Sequence, residues 1–548
     1  MRQDPSGWRV RWDEESARQF KRSGMWADKT VADYCEEMLT CTPDRVLVID
    51  REREFTVRQL HVQARKLAHA LVHRGYRPGD TISFQLPNWH EAVVINLAAA
   101  MAGLVIHPIA PMYRSLDVEF MLRDCRSKLI FVPGVFRKFD HIEMMRQMIP
   151  ILESPVEVVG VRAGSSEFAA YETLIADAGD GTALPRTDPD AVKVIMYTSG
   201  TTGRPKGVLH SHNSLQTENR ARQTHLKLTT ADFMFNPSPV THVTGMLYSL
   251  CLPFTYGVPT LMLDIWDPQL ALDMMRRRKV TGTVAATAFL QGLVAEAKKS
   301  GESLPDLRFF LCGGAQVPPS LIREAARIFV NCVPARIYGS TEVPCITAGV
   351  QTRDQLSLGA DTDGEIWQAE ARIDDPQSGD PLPAGSEGEI VARAPHMFLG
   401  YAREEDNVGA FNADGFFRMG DLGRILDGRF VLVTGRKKDL IIRAGENISP
   451  KEIEDILFNH PAIEEIAIVA MPDERTGEAA CAFVVLQQGH AIDLPEIKRY
   501  LVAVGVTMQK IPERLEIVTE FPRTSAGKVH KHVLRQMARE LVAGSVRQ

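Results

Sequence analysis

The sequence predicts an α/β protein that ends in a smaller α+β unit, and three features carry that prediction. Apolar runs of strand length alternate with helical patterns through most of the first 400 residues. From Ala369 to about Leu432 the runs shorten and sit between Gly, Asp and Pro turns, which marks a small β-rich subdomain. After the polar stretch Thr434–Asp439 the pattern restarts and continues for about 110 residues, a normal size for a small domain. A chain of 548 residues is too long for one hydrophobic core, so several packed subdomains are expected.

The elements follow in order. Ala92–Ile106 is the most apolar stretch, 15 residues long with Asn96 inside it. A membrane-spanning helix needs about 20 residues, so this segment reads as a buried helix running into a strand. Strands are expected at Lys128–Val132, Val156–Val161, Val192–Tyr197, Thr260–Leu263, Thr281–Ala286 and Arg308–Leu311, from their length and β-branched content. Arg276–Lys279 is a basic run closing an amphipathic helix, where cations complement the helix dipole. Glu389–Ala392 and Arg429–Val433 supply strands of the β-rich part. Ser449-Pro450 reads as an N-cap with proline at the first helical position, with Ile453, Ile456 and Leu457 on one face. Strands at Ile466–Ala470 and Ala482–Leu486 and helices near Leu494–Val502 and Lys531–Leu541 complete the carboxyl-terminal unit. The boundary falls near Arg436–Asp439, dividing the chain into 1–436 and 437–548.

Composition removes several function classes. Charged residues make up 24% of the chain and the formal net charge is −6, so neither nucleic acid nor an anionic membrane is an expected partner. The eight cysteines form no Cys-x-x-Cys pair, which argues against a zinc site or disulfide framework and for reduced thiols in a cytoplasmic protein. The amino terminus opens no apolar run of the secretory kind, and no integral membrane segment is expected. The pairs His210/His212 and His530/His532 lack an accompanying carboxylate cluster and read as structural or exposed. A homodimer is compatible with the sequence and not specified by it.

One segment decides the chemistry. Residues 197–207 read Tyr-Thr-Ser-Gly-Thr-Thr-Gly-Arg-Pro-Lys-Gly, directly after an apolar strand. Glycines let successive N–H groups converge on an anion, hydroxyls add donors and the lysine adds charge. This is a phosphate-cradling loop by composition, against the plainer reading of a polar surface turn. It is not a Walker loop, because Lys206 follows Pro205, and Gly179-Asp-Gly181 does not continue into a dinucleotide fingerprint.

The stretch 197–207 resembles the signature of the adenylate-forming (AMP-dependent synthetase/ligase) superfamily, and four more motifs follow in that family's order. Tyr338-Gly-Ser-Thr-Glu342 looks like Tyr-Gly-x-Thr-Glu. Gly420-Asp421 looks like Thr-Gly-Asp, with Met419 in place of threonine. Gly435–Ile448 is similar to the hinge segment, and Pro522–Lys528 to the motif carrying a catalytic lysine. The resemblance covers almost the whole chain. It implies a large amino-terminal domain of two α/β layered sheets plus a small β-rich subdomain, and a small mobile α+β domain.

It also implies roles. Thr198, Ser199, Gly200, Thr201, Thr202, Gly203 and Lys206 would hold the outer phosphates of ATP. Gly313, Gly314 and Ala315 would form part of the adenine pocket, with Tyr338, Gly339, Ser340 and Thr341 beside the nucleotide and Thr341 donating to the α-phosphate. Glu342 would bind Mg²⁺, a hard cation that favours carboxylate oxygen. Asp421 would accept from the ribose hydroxyls, with Arg436 beside it. Lys528 would neutralise the attacking carboxylate and the α-phosphate. Lys438 would be the hinge, and Gly445 and Glu446 would line the coenzyme A path. His242 would stand between acid pocket and coenzyme A tunnel, with Gly245, Phe289 and Gly313 also in the pocket. Without the resemblance, Thr341-Glu342 reads as a helix cap, Asp421 as a turn residue, Arg436 as a solvated arginine and His242 as a core histidine.

The hinge segment Arg443–Glu454 looks like those of acyl-CoA synthetases, which implies activation of a carboxylic acid by ATP and its transfer to coenzyme A. A stand-alone enzyme loading a separate carrier protein is the alternative, and a non-catalytic binding homologue is opposed by Lys528 and Glu342. Apolar Ala286–Leu290 suits an apolar acid. The segments Gly24–Asp28 and Pro108–Arg114 look like those of ligases for medium-chain or cyclohexanecarboxylate-type acids.

Overall fold

The computed structural model describes all residues except 177–182, 199–203, 316, 444–445, 474, 525–526 and 546–548. Two seven-stranded sheets form the bulk of the chain. The first runs in the order 169–170, 157–161, 127–133, 81–84, 105–108, 192–198 and 206–211, parallel except for its last strand. The second runs 333–336, 309–312, 282–285, 234–236, 260–262, 46–50 and 53–56, parallel except for the terminal hairpin.

Helices Val57–His73 and His90–Ala102 belong to one apolar cluster with Ile82, Phe84, Leu129 and Phe131 of the first sheet and Val48, Met234, Met262 and Leu311 of the second. Every residue of His90–Ala102 is buried, which is why its sequence is apolar all round. The outer face of the second sheet packs Phe235, Leu261 and Phe310 against helices Pro268–Arg277, Thr287–Ser300 and Pro319–Ile328.

The β-rich part is a six-stranded antiparallel sheet ordered 347–348, 365–366, 430–436, 417–426, 388–393 and 370–374. The carboxyl-terminal unit has its own sheet, 446–448, 441–443, 477–486 and 463–473, with 514–517 alongside 477–486. Helices Pro450–Leu457 and Leu494–Ala503 cover one of its faces and Lys531–Ser545 the other, each with a separate apolar cluster.

The strands expected in the two large sheets appear within about two residues of their sequence bounds, for example Ser127–Pro133 and Phe309–Cys312, whereas those expected at Ile466–Ala470 and Ala482–Leu486 extend to Ile463–Asp473 and Gly477–Leu486. Ser449 takes the N-cap position with Pro450 at the first helical position, as expected. Ser449 precedes helix Pro450–Leu457 but makes no side-chain cap; its hydroxyl donates instead to Thr434 O at 2.5 Å. That bond fastens the start of the small unit's first helix to the last strand of the β-rich sheet. All eight cysteines are free, and seven are buried. Among the described residues no helix is long and apolar enough to cross a membrane.

Candidate active site

Parallel strands of α/β sheets present ligand sites beyond their carboxyl ends. In the second sheet, strand Phe309–Cys312 runs into Gly313–Ala315 and strand Val333–Arg336 into Tyr338–Glu342. Both glycines that open these turns are needed for close approach: a Cβ on Gly313 would press on Ile337 O, and one on Gly339 would fall on Pro344 O. The turn 338–347 is not helical, so Thr341 and Glu342 cap nothing. It folds back on itself instead. Glu342 and Val343 N–H both donate to Ser340 Oγ at 3.2 Å, and Tyr338 N–H donates to Thr347 Oγ1 at 2.7 Å. Buried His210, at the end of the antiparallel strand 206–211, bonds Thr341 O at 2.7 Å. That bond gives the histidine a structural place and pins the loop from below.

Three elements converge here. From the β-rich sheet comes Asp421, not in a turn but within the long strand Phe417–Leu426, directly across from Arg436. Arg436 Nε stands 2.9 Å from Asp421 Oδ1, and the Tyr338 phenol donates to Asp421 Oδ2 at 2.7 Å. The carboxylate is buried while the arginine remains half exposed, so a ligand can reach the pair from the arginine's side. Tyr401 donates to Glu342 Oε1 at 2.8 Å, and Lys206 lies 4.9 Å over the Tyr401 ring and 3.2 Å from Asp406. Thr198 pairs with Lys206 across the strands. Ser199, Gly200, Thr201, Thr202 and Gly203 lie outside the described residues, as does Gly445; Glu446 starts strand Glu446–Ile448.

The third element is the carboxyl-terminal unit, which brings Lys528. Thr524 N–H donates to Lys528 O at 2.7 Å and Lys528 N–H to Thr524 Oγ1 at 3.1 Å, so the lysine sits on a tight turn. A Cβ built on Gly314 would lie 3.8 Å from Lys528 Cε, which sets the lysine against the 313–315 turn. Burial, helped by the positive charges of Arg436 and Lys438, pushes the Lys528 ammonium down to about 8, against the opposing pull of Asp421 and Glu342. His242 is pushed down to about 3 by burial and by the Lys528 charge, so the ring is neutral. Thr244 N–H donates to its Nδ1 at 3.3 Å.

Packing accounts for two residues expected at the acid pocket. Gly245 is glycine because a Cβ would collide with Pro239 O. Phe289 stands edge-on to Trp266 at 4.8 Å and packs against the outer cluster of the second sheet. Gly24–Ala27 lies at a surface pocket with Lys21, Lys29, Tyr34 and Arg220. Tyr401 and Asp406 were missed from the sequence, because nothing local distinguishes a tyrosine that meets a glutamate 59 residues away. The one carboxylate–histidine group among the described residues with metal-ligand spacing, Asp50, His90 and Glu91, is occupied by Arg162, whose guanidinium meets Glu91 at 2.7 Å and Asp50 at 2.5 Å.

The hinge region is held from both sides. Lys437 donates to Pro376 O at 2.6 Å and pairs with Glu389 at 3.1 Å, both in the large part. Asp439 pairs with Arg535 of the last helix at 3.1 Å, and the same arginine donates to Lys438 O at 3.2 Å. Lys438 is the residue between the two grips.

Comparison with known proteins agrees with this arrangement. The sequence profile of the AMP-binding enzyme family matches residues 35–402, and that of the AMP-binding enzyme C-terminal domain matches 452–528. The chain is 34% identical to the medium-chain fatty-acid–CoA ligase of Escherichia coli (strain K12) over 531 residues, covering 96% of this chain and 93% of the relative. It superimposes on ATP-bound MatB from Rhodopseudomonas palustris with a TM-score of 0.81 at 26% identity, covering 93% of this chain and 99% of MatB. For apo MatB the TM-score is 0.72, again at 26% identity, over 94% of this chain and 99% of that one. A match of this extent across both parts of the chain means that the chain belongs to the AMP-binding enzyme family, in its acyl-CoA synthetase branch.

Proposed function

We propose that the protein joins a medium-sized carboxylic acid to coenzyme A in two half-reactions at one site. In the first, a carboxylate oxygen attacks the α-phosphorus of ATP; the new P–O bond gives an acyl-adenylate and pyrophosphate departs. In the second, the coenzyme A thiol attacks the acyl carbon, its proton passes to solvent, and AMP leaves with the oxygen that was added. The observation that carries this reading is the convergence of Lys528, from the small unit, on Asp421, Arg436 and Glu342 of the large part. A weak anionic nucleophile approaching a polyanion needs charge neutralisation more than proton transfer.

In this reading Lys528 bridges the attacking carboxylate and the α-phosphate. Asp421 takes the two ribose hydroxyls on the lone pairs that Tyr338 and Arg436 leave open, and those two residues fix its orientation. Lys206, with Thr198 and the loop 199–203, holds the outer phosphates, Thr341 meets the α-phosphate and Gly313–Ala315 flank adenine. Mg²⁺ is commonly held by one or two carboxylates plus substrate phosphates, and a lone buried Glu342 steadied by Tyr401 fits that donor set. The cation would supply charge neutralisation at the phosphates. The division into 1–436 and 437–548 with Lys438 as pivot is supported by the opposite grips on Lys437 and Asp439. The higher likeness to ATP-bound than to apo MatB supports an arrangement of the two parts suited to the first half-reaction. A turn about Lys438 would then withdraw Lys528 and bring Gly445 and Glu446 to the thiol path, with His242 as the neutral gate.

The E. coli relative supports a medium-chain acid. The test is acid-dependent ATP–pyrophosphate exchange across an acid panel, followed by thioester formation with coenzyme A or with a phosphopantetheinyl carrier protein. Exchange with coenzyme A thioester formation is expected. Exchange followed by transfer to the carrier alone would replace the proposal with the carrier-loading alternative.

A further inference from the structure

The stretch 398–407, between two strands of the six-stranded sheet, runs beside strand Lys206–Ser211 and is tied to both ends of the segment 197–207. Backbone bonds set its place: Leu399 N–H donates to Leu209 O at 2.7 Å, Ala402 N–H donates to Gly207 O at 2.8 Å, and Tyr401 pairs with Val208. At the start of the segment, the Tyr197 phenol donates to Asp124 Oδ2 at 2.6 Å, and Arg403 Nε donates to the other oxygen of that carboxylate at 2.6 Å. At its end, Lys206 Nζ stands 3.2 Å from Asp406 Oδ1 and lies over the Tyr401 ring.

Asp406 is a fixed partner. It belongs to the single turn Glu404–Asn407, whose Asn407 side chain accepts from Tyr401 N–H at 2.8 Å and donates to Tyr401 O at 3.0 Å. Asp406 N–H donates to Arg403 O at 3.2 Å, and Arg403 is anchored on Asp124. The Lys206 and Asp406 side chains are only 20% and 18% exposed, so salt and water screen the pair less than an open surface pair. A neutral acceptor would serve to hold the ammonium in one place. A full negative charge does more, because any phosphate that reaches Lys206 also meets the charge of Asp406.

We infer that Asp406 is the resident counter-ion of Lys206: it keeps the ammonium in place and competes with the outer phosphates for it, so that ATP and pyrophosphate are held less tightly than the lysine alone would hold them. The inference rests on the role of Lys206 in the acid–coenzyme A ligase reading. To an ammonium, carboxylate and phosphate are the same kind of partner, joined by charge-assisted hydrogen bonds. Before nucleotide arrives the lysine is neutralised and held; once pyrophosphate has formed, Asp406 takes the ammonium back as the anion leaves. Asp406 touches no reacting atom and is a positioning residue.

The test uses the whole enzyme with Asp406→Asn, which keeps an acceptor oxygen and removes the charge. The readouts are the inhibition constant of pyrophosphate and the KM for ATP in acid-dependent thioester formation, with inhibition by AMP, which lacks outer phosphates, as the control. Pyrophosphate and ATP should both tighten about fivefold, the upper end for a single exposed ion pair, while AMP stays unchanged. A residue that only supported the fold would weaken them instead. Asp406→Glu, which keeps the charge, should not tighten either ligand. In Lys206→Gln pyrophosphate should weaken, and adding Asp406→Asn should tighten it far less than in the native background. Pyrophosphate held no more tightly by Asp406→Asn, equal tightening of AMP, or the same gain with and without Lys206 would overturn the counter-ion role and leave acid activation standing. No acid-dependent exchange with any acid in the native enzyme would overturn the reading beneath it.

Discussion

Asp421 shows how much a single carboxylate depends on its neighbours. Tyr338 meets one of its oxygens and Arg436 the other, and in the proposed mechanism the remaining lone pairs take the ribose hydroxyls. Asp421→Ala should weaken ATP by about 1.5–3 kcal/mol, the range for a hydrogen bond to a charged group. A titration with ATP and its deoxy analogues checks this, since the variant should bind them alike; a retained preference for ribose removes Asp421 from that role. Lys528 makes a pH prediction. Because burial and Arg436 lower it to about 8, it is charged in the free enzyme below that pH and loses its proton above it. The kcat/KM of acid-dependent exchange should therefore hold up to about pH 8 and fall about tenfold per unit beyond it. The same shift has a sign for stability: between about 8 and 10.5 the unfolded chain holds more protons, so the destabilisation this lysine brings below pH 8 fades as pH rises towards 10.5. A flat rate profile up to pH 10 would show that its charge is not needed. Lys528, Asp421 and Glu342 were singled out in the sequence by the resemblance of their motifs to those of a known family. Tyr401 was not, since its meaning comes only from what the fold places opposite it.

At the level of elements, the turn 338–347 is the part most sensitive to a small change. Gly339→Ala would drive a Cβ onto Pro344 O, backbone against backbone, with no flexible side chain to yield. The loop must shift, at a cost of about 1–3 kcal/mol by the scale of overpacking. Thermal melting should show that loss with secondary structure intact, and kcat/KM should drop by about 10² or more as Thr341 and Glu342 move. An alanine variant with full activity would show that the turn tolerates displacement. The parallel strands could be read within a residue or two because buried strands are runs of β-branched and aromatic residues, as in Ser127–Pro133. Ser449 and Pro450 take the N-cap and first helical positions read from the sequence, but the tertiary bond of the Ser449 hydroxyl to Thr434 O could not be read from it. Phe289 shows why an apolar segment alone leaves a pocket open as a reading. Local apolarity suits a pocket and a packing face equally, and the contact with Trp266 is visible only in the fold. Helix His212–Leu226 was the least legible, since nine of its buried residues are polar and no apolar period announces their burial.

For the whole molecule, the two parts should fail separately. Lys528→Ala should lower acyl-adenylate formation by about 10²–10³, the scale for removing a key electrostatic stabiliser, yet still turn a supplied acyl-adenylate and coenzyme A into thioester. Lys438→Pro should do the opposite. Fixing φ near about −65° between the grips on Lys437 and Asp439 restricts the swing, so first-turnover pyrophosphate release survives while thioester formation falls. Both half-reactions measured on both folded variants check this; equal losses in each would rule out a domain that alternates. The ladder that sets Asp421 across from Arg436 has a further consequence. In the proposed mechanism the ribose grip would end two residues before the pivot, on the side that stays still. Whatever the small unit did, the anchor of the activated intermediate would travel nowhere, so a reactive mixed anhydride need never be handed over. Its escape into bulk water should then be governed by the large part alone, and an enzyme stripped of its swinging unit should still be a slow leaker.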